Sequence, residues 1–81
     1  MDGQFRTRDL YLSAFLKVAE VPMLPNEQED GVTLFVFEDP DGIVRQLKDE
    51  YFSDFARVKA LSYTRALKEL KASLPRLPKH A

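Results

Sequence analysis

Between Leu10 and Val18 almost every residue is apolar: Leu10, Tyr11, Leu12, Ala14, Phe15, Leu16 and Val18. At about 100° per residue, Asp9, Ser13, Lys17 and Glu20 share one narrow arc and apolar groups fill the rest of the turn. The pattern predicts a helix with Thr7 as N-cap and Asp9 in the first turn, where the helix dipole favours an acid. A helix apolar round most of its circumference is covered on several sides, so this one is the expected centre of the domain. A second pattern, Val32-Thr33-Leu34-Phe35-Val36-Phe37, is β-branched and aromatic and predicts the clearest strand. Thr33, Phe35 and Phe37 point to one face and Val32, Leu34 and Val36 to the other, leaving both faces largely apolar. Asp30-Gly31 just before it signals a hairpin turn. Upstream, residues 21–28 carry Pro22 and Pro25, each without a ladder donor, which predicts an irregular edge strand.

Beyond the strand, Asp39 is a suitable cap for a second helix and Pro40 suits its first position, where no amide donor is needed. That helix runs to about Phe52, with Ile43, Val44, Leu47 and Tyr51 on one stripe and Arg45, Gln46, Asp49 and Glu50 mostly away from it. Ser53-Asp54 reads as a break. A third helix is expected from roughly Ala56 to Ser73, burying Ala56, Ala60, Tyr63, Ala66, Leu67, Leu70 and Leu74. Arg57, Thr64, Arg65, Lys68 and Lys71 gather on its opposite side, and Leu61 falls among them. Either the helix starts later or Leu61 meets something outside the fold. Leu74-Pro75 and Leu77-Pro78 end it. The expected architecture is one α+β domain over residues 1–75, in the order α-β-β-α-α, with an antiparallel hairpin packed on helices and a mobile tail over 76–81. A bare hairpin is rarely stable. Its second apolar face is left for the third helix, for a short strand at Gln4-Phe5-Arg6, or for a second copy of the chain.

Length and composition narrow the functions. Eighty-one residues suit one domain, and a domain this short buries only about 60–65% of its unfolded-chain surface. There is no cysteine and a single histidine, His80, which excludes disulfides and cysteine-based zinc sites. The charged start MDGQFRTRDL does not read as a signal peptide. No apolar stretch approaches the ~20 residues that span a bilayer. A soluble, cytoplasmic protein with no membrane partner is expected. The formal net charge of −1 hides an asymmetry: residues 1–56 hold twelve acids and five bases, whereas residues 57–81 hold seven bases and one acid, Glu69.

The stretch Phe5-Arg6-Thr7-Arg8-Asp9-Leu10-Tyr11-Leu12-Ser13-Ala14-Phe15-Leu16 resembles the opening of a family of short uncharacterised bacterial proteins, a domain of unknown function. That family opens with an aromatic, a basic residue and Thr, followed by Asp-Leu-Tyr-Leu-Ala-Ala-Phe-Leu. Phe35-Val36-Phe37-Glu38-Asp39, the pair Tyr51-Phe52 and Leu67-Lys68-Glu69-Leu70 continue the likeness, over about residues 5–74. Pro22 and Pro25 depart from it, where family members carry a more regular apolar strand. The resemblance implies a similar small fold and brings no activity.

Candidate chemistry is sparse. Glu38-Asp39-Pro40-Asp41-Gly42 is rich in carboxylates, but a calcium loop needs about twelve residues and a terminal bidentate Glu. Here Ile43-Val44 turn at once into helix. Asp-Pro-Asp-Gly is also similar to a turn of metal-dependent glyoxalase-like enzymes, which usually place Glu soon after it, where this chain has Arg45. Capping accounts for the acids without a metal. No cysteine nucleophile, internal histidine base, nucleophile elbow or Gly-rich phosphate loop is present, so neither an enzyme nor a cofactor is expected. The best lead is the basic helix face: Arg57, Arg65, Lys68 and Lys71, with Arg76 and Lys79 beyond, and Arg6 and Arg8 if the N-terminus lies nearby. Phosphates attract such a stripe, although a solvated helix face is also commonly charged, and the acidic remainder repels a polyanion. The expectation is a non-catalytic interaction or adaptor module whose partner is another protein chain or a second copy, with Leu61 among the contacts. The alternative is a nucleic-acid-binding accessory protein using the basic face.

Overall fold

A computed structural model describes residues 3–53 and 59–75. Along the chain come β1 (Gln4–Thr7), α1 (Leu10–Val18), β2 (Met23–Glu29), β3 (Val32–Glu38), α2 (Ile43–Phe52) and α3 (Ala60–Ala72). The α+β class holds, with the β2–β3 hairpin packed on helices. The N-terminal strand left open in the sequence is formed, so the order is β-α-β-β-α-α. The expected tail, residues 76–81, lies outside the described residues, as do Ala56 and Arg57.

Local chemistry sets the ends of α1, though not at the residue expected. Thr7 closes β1, and Asp9 is the N-cap: its Oδ1 accepts from the Tyr11 and Leu12 N–H groups at 3.0 Å. Thr7 Oγ1 accepts instead from the Asp9 N–H at 3.1 Å. At the other end Val21 N–H donates to Leu16 O and Glu20 N–H to Lys17 O, at 3.1 and 3.0 Å, the paired bonds of a Schellman stop. Glycine is usual at the left-handed position of that motif; here Glu20 holds it at φ 67°. Ser13, placed by the periodicity on a polar arc, is fully buried, and its Oγ donates back to Asp9 O at 2.8 Å. Leu12 to Leu16 are all withdrawn from water, as a central helix requires, and Tyr11 is the exposed position.

The sheet order is β1-β3-β2, with both pairings antiparallel. The two edge strands are therefore parallel to each other, and α1 is the crossover that such a relation demands. Asp30 and Gly31 both have positive φ, 52° and 80°, as a two-residue primed turn needs. In β2, Leu24 stands opposite Val36 and Glu27 opposite Leu34. Pro25 and Asn26 therefore share the place facing Phe35, a bulge on an edge strand that can take a proline. Pro22 precedes β2 and uses only its carbonyl, which accepts from Glu38 N–H at 2.8 Å.

All three helices contribute to one core on one side of the sheet. Phe35 and Phe37 meet Leu12, Phe15 and Leu16 of α1, Val44 of α2, and Ala66 and Leu70 of α3. Phe15 also stacks at a tilt against Tyr51, with centroids 5.3 Å apart. Val36 points to the opposite face and is still only 1% exposed. Arg6 Nε donates to Glu27 Oε1 at 3.0 Å. This pair joins the two edge strands across β3, where Val36 is flanked by Arg6 on one side and Leu24 on the other. The third helix starts at Ala60, later than expected, and Ala60 is exposed. The later start does not bury Leu61, which stays 63% exposed. Tyr63 Oη donates to Tyr11 O at 3.1 Å, and Lys17 Nζ lies 3.2 Å from Glu69 Oε1, so α3 is seated along α1.

Phe35→Ala is expected to lower the unfolding free energy by about 3–5 kcal/mol, because a fully enclosed ring leaves a cavity behind. Urea titration measures the loss, and a near-neutral result would contradict the placement of this ring against α1.

Candidate functional site

The acidic turn after β3 is a structural junction first. Gly42 N–H donates to Asp39 O at 3.2 Å, closing a turn with Pro40 second and Gly42 fourth, places those residues favour. Gly42 then takes φ 72° just before the helix, a conformation open to glycine at little cost. The N-cap of α2 is Gly42 and not Asp39, because the turn inserts three residues before the helix; Asp39 still supplies the capping bonds from upstream, its Oδ1 accepting from Ile43 N–H at 2.7 Å, with Val44 N–H 3.3 Å from both of its oxygens. Pro40 does not open the helix, as it was expected to; the helix begins at Ile43, and Pro40 and Asp41 belong to the turn. Among the described residues no group of three or more His, Cys, Asp and Glu is placed to hold a metal ion.

That junction also walls a cleft of about 380 Å³. The α1 stop supplies Glu20, Val21 and Pro22, the end of β3 supplies Glu38, and the turn and α2 supply Asp39, Asp41, Ile43 and Leu47. The floor is apolar and four carboxylates ring it. Asp39 is engaged by the helix it caps. Among the described residues, no ion pair or side-chain hydrogen bond involves the carboxylates of Glu20, Glu38 or Asp41. Ile43, assigned by periodicity to the buried stripe of α2, is 51% exposed at this cleft, whereas Val44 takes the core position. Periodicity missed the site because Ile43 is the first helical residue, where the turn rather than the stripe sets its direction. The acids were visible in the sequence; the apolar floor was not, since it is assembled from three separate segments.

The basic face is less continuous than the sequence suggested. Arg65, Lys68 and Lys71 are exposed on α3 around Leu61. Arg65, however, borders a hollow shared with Lys17, Glu20 and Glu69, where acids alternate with bases. Arg6 is on the sheet face remote from the helices, bonded to Glu27 and Gln4. Arg8 is exposed beside Leu10, Leu74 and Pro75 at the hairpin end. Arg57 lies outside the described residues. Among the described residues, no helix is long and apolar enough to cross a membrane.

A tyrosine cluster joins the helices. Tyr63 is close to Tyr51, Tyr11 and Asp9; burial first, then the hydrogen bond and charge of Tyr51, push its hydroxyl up to about 12. The neutral phenol is the form that donates to Tyr11 O.

Compared with protein families, with curated proteins and with solved structures, the chain matches none.

Asp39→Ala is expected to lower stability by about 1 kcal/mol through loss of the α2 cap, and Asp41→Ala by clearly less. Both unfolding midpoints should be unmoved by added calcium; a calcium-dependent rise would show that the acids act as ligands. For Tyr63, the folded value lies above the unfolded value of 10.0, so its contribution is complete below pH 10 and is lost as pH rises toward about 12. The stability difference between the wild type and Tyr63→Phe should shift against the wild type across that interval. A constant difference in urea midpoints would remove the raised hydroxyl from the account.

Proposed function

We propose that this chain is a non-catalytic interaction module that works by contact with another protein chain, including a second copy of itself. The observation that carries this reading is the cleft beside Ile43, where an apolar floor stays open to water between the carboxylates of Glu20, Glu38 and Asp41. A few polar groups around an apolar concavity are the usual make-up of a binding site. The exposed rings of Tyr11 and Phe52 and the side chain of Leu61 add apolar surface elsewhere. The absence of cysteine from the sequence fits a reducing compartment and supports a cytoplasmic location. Kinship with the short bacterial proteins that share the Phe5–Leu16 motif is part of the same proposal and adds no activity to it.

A second reading, nucleic-acid binding, is favoured by Arg65, Lys68 and Lys71 projecting from one side of α3. The Lys17–Glu69 pair and Glu20 at the edge of that face weaken it, because carboxylates repel the phosphates those bases would attract.

Ile43→Ser is expected to change stability by no more than about 0.5 kcal/mol, as an exposed position should, and to reduce self-association measured by sedimentation across concentrations. Labelled single- and double-stranded DNA and RNA should stay unbound at low salt. Binding there that weakens steeply with added salt, and is lost in the Lys68→Glu/Lys71→Glu variant, would establish the second reading instead.

A further inference from the structure

We propose that the acidic cleft receives the Arg76–Lys79 segment of a second copy of this chain. The inference rests on the interaction-module reading and names the occupant of the same cleft. The charges of the two are complementary. Glu20, Glu38, Asp39 and Asp41 ring the cleft, and Arg-Leu-Pro-Lys offers two cations flanking an apolar pair. Opposite charges steer encounter and fix register, while the floor at Ile43 and Leu47 takes apolar side chains. Their sizes also match. A cleft of about 380 Å³ does not admit a helix, which is about 10–12 Å across with its side chains. It suits a few residues of extended chain better than the basic face of α3, whose helix would stay outside and insert single side chains only.

Reach decides between the chain's own segment and another copy's. Leu74 and Pro75 sit beside Gly31, Val32 and Thr33, at the start of β3, while the cleft is built on Glu38 at its end. Those ends are separated by about 20 Å, at roughly 3.4 Å per residue. Even Lys79, four residues beyond Pro75, is separated from it by at most about 14 Å of extended chain, so the Arg76–Lys79 segment cannot lie across the cleft of its own chain. Reciprocal exchange between two copies fills both clefts and closes the assembly with two-fold symmetry. Two such contacts in one dimer reinforce each other, since the second forms within the complex.

Glu20 gives the arrangement a distinguishing test. It occupies a left-handed position at which glycine is less strained, so a purely structural role predicts only gain from replacing it. Glu20→Gly should raise the unfolding midpoint and yet weaken self-association. Sedimentation of the full chain at low salt should show a monomer–dimer equilibrium that shifts to monomer as salt rises. Glu38→Lys/Asp41→Lys and Arg76→Glu/Lys79→Glu should each be monomeric, and mixing the two variants should restore a dimer, because each then supplies the complement the other lacks. A strictly monomeric wild type overturns the proposal, although a different protein partner remains open to the module. Self-association that Ile43→Ser weakens but neither charge reversal alters also overturns it, while leaving the interaction reading in place.

Discussion

The enclosure of Leu12, Phe15 and Leu16 of α1 against Phe35 and Phe37 of β3 is the contact on which the remaining parts depend. A helix buried across five consecutive residues needs cover on more than one side. The sheet provides one wall, and α2 and α3 provide the others. Each covering element is fastened by something the core does not supply: α2 by the Asp39 carboxylate, α3 by the Tyr63–Tyr11 bond and the Lys17–Glu69 pair, and the sheet by β1 closing on β3. In a domain with so little interior, these polar fastenings orient helices whose apolar faces alone would pack in several ways.

The far side of the sheet is handled differently. Among the described residues no helix covers it, and β3 is aliphatic there at Val32, Leu34 and Val36. The Arg6–Glu27 pair ties the two edge strands together on that face, where Val36 is buried between them. An exposed ion pair contributes little energy by itself; what it fixes here is the spacing of β1 and β2 about β3. This also explains why an arginine that looked like a candidate phosphate contact in the sequence is an element of the fold: its acidic partner is twenty-one residues away and becomes visible only when β1 and β2 flank the same strand.

Features set by a few adjacent residues were legible in the sequence. Asp30-Gly31 specified a turn type, Phe35 and Phe37 a buried face, and Asp39 a cap, because each acts on backbone within a few positions of itself. The central helix was legible because its apolar residues leave so little polar surface. Three things were not legible, for physical reasons. β1 has only four residues and is a strand because β3 lies beside it. The choice of Asp9 over Thr7 as cap is a competition between two competent side chains, decided by where β1 ends. Ser13 escaped because a hydroxyl bonded to the preceding turn is content in the interior. At the candidate site the acids were apparent and the hydrophobic floor was not, since Val21, Ile43 and Leu47 meet only after folding.

The sheet order carries a consequence for how the chain emerges during synthesis. The last strand to be made is the middle one. Until residue 38 is available, neither β1 nor β2 has a neighbour to pair with, and a nascent segment ending in the Asp30-Gly31 turn holds two strands with nothing between them. The oily residues of α1 are therefore translated before their aromatic wall and gain that wall only when β3 arrives.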